Sequence, residues 1–335
     1  MSLFLAAMLG LGGWVVPWQR EAGLASVERS AGAIQDVFFF AARLDGQGRP
    51  VLDGDQAIWS DAVKRARAHG ARVWLTVVND RVTAEGPVAL KDADVVHRTL
   101  AEAAARGRHV AAIVALAGSL AVDGIDIDYE NLPAEERDAF STFADELAAA
   151  LRERRVALSV TVQPKRGDTS SRGPGAMDWG RLCRSADRVQ IMLYNEHNAG
   201  TEPGPIASPA WISEVMDYGL GTCPVSKLVP VLKVSGMDWG PTHAEWKSFS
   251  EVAATKAGTG ARVRRERSSR VPWLVYEGPD GRHVVYFEDG RSLEAKAANL
   301  AARGVANVVL WSLGSEDPGA VPRVAGIERR GAQKR

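Results

Sequence analysis

Short apolar runs alternate with amphipathic segments along most of the chain. The runs are rich in Val, Ile, Leu and aromatic residues, which is typical of buried strands, whereas the segments between them repeat apolar residues at helical spacing. Eight runs predict strands, over residues 12–18, 36–42, 72–78, 122–133, 156–162, 188–194, 227–234 and 307–313. Helices are predicted over residues 55–69, 92–121, 134–154, 177–186, 209–219 and 292–303.

This alternation indicates the fold class. Near-continuous apolar strands that alternate with amphipathic helices imply parallel strands covered by helices. Eight such units favour a closed (β/α)8 TIM barrel of the α/β class over an open sheet. The barrel is predicted to span residues 12–322, with an apolar segment before it, residues 1–11, and a basic tail after it, residues 323–335.

The regular spacing of the predicted strands is interrupted once, between the seventh and eighth strands, which are separated by about 70 residues. Within them, V-P-W-L-V-Y-E-G-P-D-G-R-H-V-V-Y-F-E-D-G predicts two strands joined by a turn of Gly, Pro and Asp. We therefore predict a small α+β insertion over residues 241–290. It is expected on the face of the barrel that bears the loops after the strands.

Composition and charge exclude several classes of partner. Lys plus Arg and Asp plus Glu both total 41, so no field of one sign favours nucleic acid or an anionic membrane. The apolar segment at the N-terminus is too short to span a bilayer. It is expected to be either the remnant of an export signal or an apolar stretch that precedes the first strand. Cys183 and Cys223 lack metal-ligand spacing, which predicts buried free thiols or, in an exported protein, one disulfide.

The fourth predicted strand, V-D-G-I-D-I-D-Y-E-N-L-P, has four carboxylates within eight residues, from Asp123 to Glu130. Strand side chains alternate between faces, so Asp126, Asp128 and Glu130 are predicted to point into the barrel, with Glu130 nearest its mouth. The isoleucines between them and Tyr129 would pack beneath the helices. Asp123 falls at the strand entrance, where we expect a structural role.

Three stacked acids in a barrel interior require an explanation. Burying an unpaired carboxylate costs several kcal/mol, so such acids must be protonated, paired or bound to a ligand. Like charges this close also separate their pKa values, which pushes one acid towards the neutral form that a general acid requires. A structural network and a Mg²⁺ site are the alternatives. No companion set of acids or histidines follows on the next strands, so we predict no metal.

D-G-I-D-I-D-Y-E closely resembles the D-x-x-D-x-D-x-E motif of the family 18 glycoside hydrolases, which are chitinase-like (β/α)8 barrels. The resemblance implies that Glu130 is the proton donor and that Asp128 orients the N-acetyl group of the substrate. Asp126 would then be the supporting acid that holds Asp128. The resemblance covers residues 12–322, which is nearly the whole chain.

Two further motifs fall at predicted strand ends. M-L-Y-N, residues 192–195, is similar to the family's M-x-Y-D, which implies that Tyr194 binds the acetamido carbonyl. Trp311 resembles the aromatic floor of the sugar subsite, where a ring can pack on the apolar face of a pyranose. The expected substrate-binding residues are Trp311, Met192, Asn195, Asp238 and Trp239.

Y-N-E-H, G-M-D-W and L-W-S-L-G-S-E-D-P look like the spore-germination, cortex-lytic branch of the family. The resemblance implies a glycosidase that hydrolyses β-1,4-linked N-acetylglucosamine in peptidoglycan or a chitin-like polymer. Catalysis would be substrate-assisted and would retain the anomeric configuration, without a metal or an organic cofactor. We expect a monomer in the cell envelope, the periplasm or the extracellular space.

Several positions depart from the family pattern. Asn195 replaces the usual Asp, Tyr129 replaces the usual Trp, and Ser235 and Met237 stand where this branch often has tyrosines. The loss of a charge at Asn195 leaves open a catalytically weak or inactive carbohydrate-binding protein. A third hypothesis is a metal-dependent hydrolase on an unrelated barrel, whose activity a chelator would abolish.

Overall fold

The computed structural model describes residues 7–83 and 86–329. The strands are β1 (Gly10–Val15), β2 (Ile34–Leu44), β3 (Pro50–Leu52), β4 (Arg72–Thr83), β5 (Gly86–Ala89), β6 (Gly124–Asp128), β7 (Ala157–Val162), β8 (Arg188–Met192), β9 (Leu228–Lys233), β10 (Gly236–Trp239), β11 (Ala244–Lys247), β12 (Arg264–Arg265), β13 (Pro272–Gly278), β14 (Gly281–Phe287) and β15 (Asn307–Trp311). The helices are α1 (Arg20–Arg29), α2 (Gln56–Ala68), α3 (Ala93–Leu100), α4 (Ala103–Leu120), α5 (Arg137–Glu153), α6 (Trp179–Ser185), α7 (Pro209–Thr222), α8 (Phe249–Thr259), α9 (Gly290–Ala302) and α10 (Ala320–Ala325).

Eight parallel strands close into a barrel. Their order is β2, β1, β15, β9, β8, β7, β6 and β4, and β4 pairs back with β2 to close the ring. The helices pack outside it, and the apolar outer faces of the strands bury a continuous core against them. The predicted (β/α)8 barrel is therefore confirmed, including all eight strands.

The lower half of the barrel interior is filled by aromatic rings. Trp14, Phe38 and Trp74 are buried, and the Phe38 and Trp74 rings stack with centroids 5.2 Å apart. A β-carbon on Gly124 would lie 2.1 Å from the Trp74 ring, so only glycine admits this ring beside β6. The rings form a solid floor, which leaves room for chemistry only at the carboxyl ends of the strands.

The chain between β9 and β15 forms a second sheet. Its order is β11, β10, β14, β13 and β12, all pairs are antiparallel, and α8 packs on it. This confirms an α+β insertion between the seventh and eighth barrel strands. The sheet begins at Gly236, immediately after β9, so it is joined directly to the mouth of the barrel.

Several helical segments differ from the prediction. The helix predicted over residues 92–121 is two helices, α3 and α4, because Glu102 has extended backbone at the start of α4. The Arg106 guanidinium donates to the Leu100 carbonyl at 3.0 Å, which satisfies an acceptor at the end of α3. In addition, α1, α8 and α10 were not among the predicted helices; α1 has few apolar residues.

Cys183 and Cys223 form a disulfide with their Cα atoms 5.8 Å apart. The expectation of free thiols was therefore wrong, and the alternative of one disulfide is correct. The reason lies in the helical shell, because Cys183 is in α6 and Cys223 directly follows α7, and these helices are neighbours.

Parts of the predicted terminal segments, residues 1–6 and 330–335, lie outside the described residues. Across the described ranges, no helix has the length and apolar character that crossing a bilayer requires.

Candidate active site

The acids of β6 lie where strand alternation places them. Asp126 and Asp128 are buried on the inner face of the strand. Tyr129 points outward, where its ring stacks on Phe143 of α5 at 5.9 Å and its hydroxyl lies 2.7 Å from His109 Nε2 of α4. The outer face of the strand therefore anchors it to the helices, while the inner face presents the carboxylates.

Asp126 is held by hydroxyl and amide donors from three other barrel strands. Thr76 and Thr161 donate to its carboxylate at 3.2 and 3.0 Å, and Gln190 Nε2 donates at 3.0 Å. Burial raises the pKa of Asp126, and these hydrogen bonds oppose the rise because they favour the charged form. Asp126 thus supports Asp128 from below, and its hydrogen bonds leave it unable to reach the substrate.

Asp128 lies above Asp126 and is far less satisfied. Its Oδ1 is a buried atom without a hydrogen-bond partner among the described residues. Burial raises the pKa of Asp128 well above its ordinary value, and the nearby carboxylates of Glu130 and Asp126 raise it further, while Lys91 opposes them. A buried carboxyl oxygen without a partner is costly unless a ligand binds it, so Asp128 is suited to accept an N–H from a substrate.

Glu130 lies at the mouth of the barrel and is held by its neighbours. Lys91 Nζ is 2.7 Å from Glu130 Oε1, and Gln163 Nε2 donates to Oε2 at 3.4 Å. The Asn79 side chain forms two hydrogen bonds with the backbone of Glu130. Its Oδ1 accepts from the Glu130 N–H and its Nδ2 donates to the Glu130 carbonyl, both at 2.9 Å. Asp80 fixes Lys91 by accepting its backbone N–H at 2.9 Å.

The end of β8 brings Tyr194 towards the acids. Tyr194 is buried, and burial together with the charges of Asp128 and Glu130 raises its pKa well above the ordinary value, so its hydroxyl remains a donor. Met192 packs in the same apolar cluster. Asn195 is exposed and has a left-handed backbone with φ of 72°, a conformation that asparagine tolerates better than most residues.

Trp311 forms a partly exposed aromatic wall at the end of β15. Its ring meets Trp14 and Phe40 edge to face, with centroids 5.5 and 5.2 Å away. The peptide bond that follows it is cis. A cavity of about 660 Å³ adjoins Trp311, and it is also lined by Trp18 and by Trp246 of the insertion. Such a cavity has the size and the aromatic walls that suit a sugar.

Asp238 and Trp239 are placed differently from the acids. Asp238 is buried in the small sheet, where its carboxylate accepts hydrogen bonds from the Tyr276 hydroxyl at 2.6 Å and from His283 Nδ1 at 2.9 Å. Trp239 is also buried, and its Nε1 donates to the Asn198 carbonyl at 3.1 Å. Asp238 thus holds the insertion together, and its contact with substrate stays a prediction.

The residues of this region that were missed from sequence include Asn79, Lys91 and Lys233. Lys233 ends β9, where its Nζ lies 5.6 Å from the centre of the Tyr194 ring. A lysine at the end of an otherwise apolar strand was a usable signal. Asn79 and Lys91 reach Glu130 only because β4 lies beside β6 in the closed barrel.

The arrangement combines a carboxyl group at a solvent-accessible mouth, a buried acceptor and a buried hydroxyl donor. Together they could bind the two ends of an amide while a proton is delivered to a neighbouring oxygen. Within residues 7–83 and 86–329, no group of three or more His, Cys, Asp or Glu side chains is placed to hold a metal ion.

Comparison with known proteins gives concordant matches. The model of the glycosyl hydrolases family 18 matches residues 94–317. The uncharacterized glycosylase YvbX of Bacillus subtilis is 25% identical over 232 residues, which cover 67% of this chain and 67% of that protein. The cortical fragment-lytic enzyme of Bacillus subtilis is 25% identical over 202 residues, or 58% of this chain and 47% of that protein. The match therefore spans about half the length of the latter relative.

Solved structures show the same architecture. A chitinase from Chromobacterium violaceum superposes with a TM-score of 0.85 at 27% identity, and the match covers 94% of this chain and 98% of that one. The spore cortex-lytic enzyme SleL of Bacillus cereus superposes with a TM-score of 0.84 at 20% identity, covering 95% of this chain and 74% of that one. At 20% identity the second likeness shows the fold alone.

Proposed function

Because this chain belongs to the glycosyl hydrolases family 18 and is a glycoside hydrolase, we propose that it cleaves β-1,4-linked N-acetylglucosamine polymers, either peptidoglycan or a chitin-like glycan. Similarity to a protein named chitinase and to one named cortical fragment-lytic enzyme supports both polymers. The Cys183–Cys223 disulfide supports a location outside a reducing cytoplasm, where either polymer is met.

The proposed reaction begins with Glu130. Its carboxyl group lies at the mouth of the barrel, and in the proposed reaction it transfers a proton to the glycosidic oxygen as the bond breaks. The oxygen of the substrate's own 2-acetamido group attacks the anomeric carbon from the opposite face and forms an oxazolinium ion. Substrate must displace Lys91 from Glu130 before this step.

The internal nucleophile needs to be held in attack geometry. Asp128 accepts the acetamido N–H through its unpartnered Oδ1, and the Tyr194 hydroxyl donates to the acetamido carbonyl. Glu130, now ionised, then takes a proton from water as the water opens the oxazolinium ion. Both displacements invert the anomeric carbon, so the configuration is retained overall.

One observation carries this proposal, namely that Asp128 Oδ1 is buried and has no hydrogen-bond partner among the described residues, beside the partly exposed carboxyl group of Glu130. A purely structural network would satisfy that oxygen, as it satisfies Asp126. A vacant acceptor beside a proton donor matches what an acetamido substrate requires.

The test is turnover of chitin oligosaccharides and of purified peptidoglycan by the wild type and by Glu130→Gln. We expect Glu130→Gln to lower kcat by about 10²- to 10⁴-fold, because the amide cannot donate a proton. NMR of the first product formed is expected to show the β anomer, as retention requires. Released reducing ends measure the rate.

Two results would contradict the proposal. If the wild type binds either polymer but releases no product, the protein is a carbohydrate-binding relative rather than an acting hydrolase on these glycans. If Glu130→Gln keeps full activity, a different residue donates the proton.

A further inference from the structure

Lys233 is a largely buried cation at the mouth of the barrel. Its Nζ lies 3.7 Å from the centre of the Trp246 ring and 5.6 Å from that of Tyr194. In the described part of the chain, its ammonium group has no hydrogen bond or ion pair with a carboxylate. It lines the cavity of about 660 Å³ that adjoins Trp311.

Its environment makes the charge costly. Burial, and to a smaller extent repulsion from Lys91, lower the pKa of Lys233 to about 7, although the charge of Glu130 opposes the fall. Some other lysines avoid this cost by pairing with a carboxylate. Lys296, for example, is buried against Glu288, and the partly buried Lys247, in the same cavity, lies 2.5 Å from Glu245.

The position of Lys233 relates it to the substrate rather than to the core. Tyr194 is the residue that holds the acetamido carbonyl in the proposed reaction, and Lys233 Nζ lies near both its ring and the ring of Trp246 in the insertion. Trp18 and Trp246 are 64% and 40% exposed and line the same cavity, so a sugar that stacks there brings its substituents close to the ammonium group.

We propose that Lys233 binds a carboxylate on the glycan beside the reacting N-acetylglucosamine, and that it thereby selects acidic strands over neutral ones. This inference depends on the proposed hydrolysis of N-acetylglucosamine polymers and specifies which of them the cleft prefers. A chitin strand has no carboxylate to offer. A peptidoglycan strand offers one on the lactyl ether of its muramic acid residues or, when peptides are attached, on the peptide stem.

A carboxylate would complete what the lysine lacks. It would supply a hydrogen-bond acceptor and an opposite charge to an ammonium group that otherwise contacts the face of an aromatic ring. Hydrogen bonds between charged groups are stronger than those between neutral groups. Trp246 would keep the ammonium group oriented across the cavity. The insertion, which contributes Trp246, thus takes part in the choice of substrate.

The experiment compares kcat/KM on three substrates: chitohexaose, peptidoglycan with its stem peptides, and glycan strands stripped of stems by an amidase. The variants are Lys233→Met, Lys233→Arg and, as a matched control, Lys256→Met, which removes a lysine from the exposed surface of α8. We expect Lys233→Met to lower the ratio of acidic to neutral kcat/KM about tenfold or more, mainly through KM. Lys233→Arg is expected to restore it, and Lys256→Met to leave the ratio unchanged.

The pH dependence gives a second readout. The preference for acidic strands is expected to weaken as pH rises through about 7, because Lys233 then loses its charge. It should persist in Lys233→Arg, whose guanidinium stays charged. The other titratable groups that face this site are Lys91, Glu130 and Tyr194 of the barrel and Lys247 and Glu251 of the insertion. The wild type and Lys233→Arg share these groups, so a difference between their pH profiles reports on residue 233.

The outcomes separate the sources and the proposals. Loss of preference only on stripped strands assigns the lactyl carboxylate, and loss only on intact peptidoglycan assigns the stem. An unchanged ratio in Lys233→Met overturns the inference while leaving the proposed hydrolysis intact. If the wild type hydrolyses neither polymer, the proposed function fails, and binding of stripped strands to Glu130→Gln with and without Lys233→Met decides the role of the lysine.

Discussion

Asp128 illustrates how a single buried carboxyl group can favour chemistry at the expense of stability. Its pKa is raised well above the ordinary value by burial and by two neighbouring acids. In the unfolded chain it ionises near pH 4, so between that pH and its raised pKa the folded state binds the extra proton. Stability must therefore fall as pH rises through this window.

Asp128→Asn removes the group that titrates. We expect it to raise the Tm at about pH 7.5 by about 2 °C or more, and to change it little at about pH 4. Activity is expected to fall about 10²-fold or more, because the amide replaces one acceptor oxygen with an NH2 donor and cannot carry the negative charge that holds the acetamido N–H. Thermal unfolding at the two pH values and kcat on chitin oligosaccharides measure both effects.

Asp126→Asn provides the contrast. Its carboxylate accepts from Thr76, Thr161 and Gln190, so an amide donor in its place meets hydrogen-bond donors. We expect this variant to lower the Tm at both pH values. A stabilised Asp126→Asn, or a destabilised Asp128→Asn, would show that the two acids are not divided between support and substrate.

At the residue scale, the sequence predicts the column of acids but not what surrounds it. Alternation along one strand is local, so the directions of Asp126, Asp128 and Glu130 follow from the order of residues alone. Lys91 and Lys233 meet Glu130 and Tyr194 only through the closure of the barrel. Such contacts between distant strands have no signature in the order of residues.

At the scale of the element, β6 has two ends with different tasks. At its entrance, Asp123 accepts the Val73 N–H at 2.8 Å and pairs with Arg67 at 3.1 Å, which ties the strand to β4 and α2. At its exit, the Asn79 side chain of β4 forms two hydrogen bonds with the Glu130 backbone. In barrels the first end typically governs stability and the second governs catalysis.

This division predicts different defects from Asp123→Ala and Asn79→Ala. Asp123→Ala is expected to cost about 1–3 kcal/mol of the free energy of unfolding, because the Val73 N–H loses its acceptor, while kcat of the folded protein stays near the wild-type value. Asn79→Ala is expected to lower kcat about 10- to 100-fold with a smaller change in KM, because Glu130 is no longer held in place.

Denaturant unfolding and steady-state kinetics on one substrate distinguish the two defects. Asn79→Asp serves as a matched variant, since it keeps the acceptor for the Glu130 N–H but loses the donor to the carbonyl. An intermediate kcat is expected for it. If Asn79→Ala unfolds more easily than Asp123→Ala and keeps its kcat, the assignment of the two ends is reversed.

The elements themselves were predictable to different degrees. All eight barrel strands are buried on both faces and so form apolar runs that stand out in the sequence. The short strands β3 and β5 were missed, although they pair with the ends of β2 and β4 and extend those strands beyond their predicted limits. These edge strands are short and lie outside the apolar runs, so no period marks them.

At the scale of the whole molecule, the cleft is a joint product of the barrel and the insertion. The barrel contributes Trp311 and Lys233 to the cavity, and the insertion contributes Trp246 beside Lys233. Lys233 connects this cavity with Tyr194, because its Nζ lies 5.6 Å from the centre of the Tyr194 ring. The sequence predicts that an insertion lies on this face, because loops after parallel strands meet there. Its effect on the cleft was not predictable, since it depends on how the small sheet is oriented on the barrel.

The disulfide is a whole-molecule constraint of another kind. Cys183 and Cys223 close a chain segment with a sequence separation of 40, and the bond joins the end regions of α6 and α7 on the outside of the barrel. Neither cysteine belongs to the cavity beside Trp311. Its removal is therefore expected to affect the unfolding equilibrium more than the chemistry.

Cys183→Ala/Cys223→Ala is expected to lower the free energy of unfolding by about 4 kcal/mol, the loop-closure entropy that a crosslink across this separation removes from the unfolded chain. Denaturant unfolding of the wild type with and without a reductant should reproduce that loss, and the double variant should be insensitive to the reductant. Because β8 lies between α6 and α7 in the chain and ends beside Tyr194, kcat of the folded variant tests whether the crosslink also orders the site. Equal kcat with lower stability assigns the disulfide to the fold alone. Unchanged stability, with or without the reductant, would mean that the two sulfurs are not joined in the protein in solution.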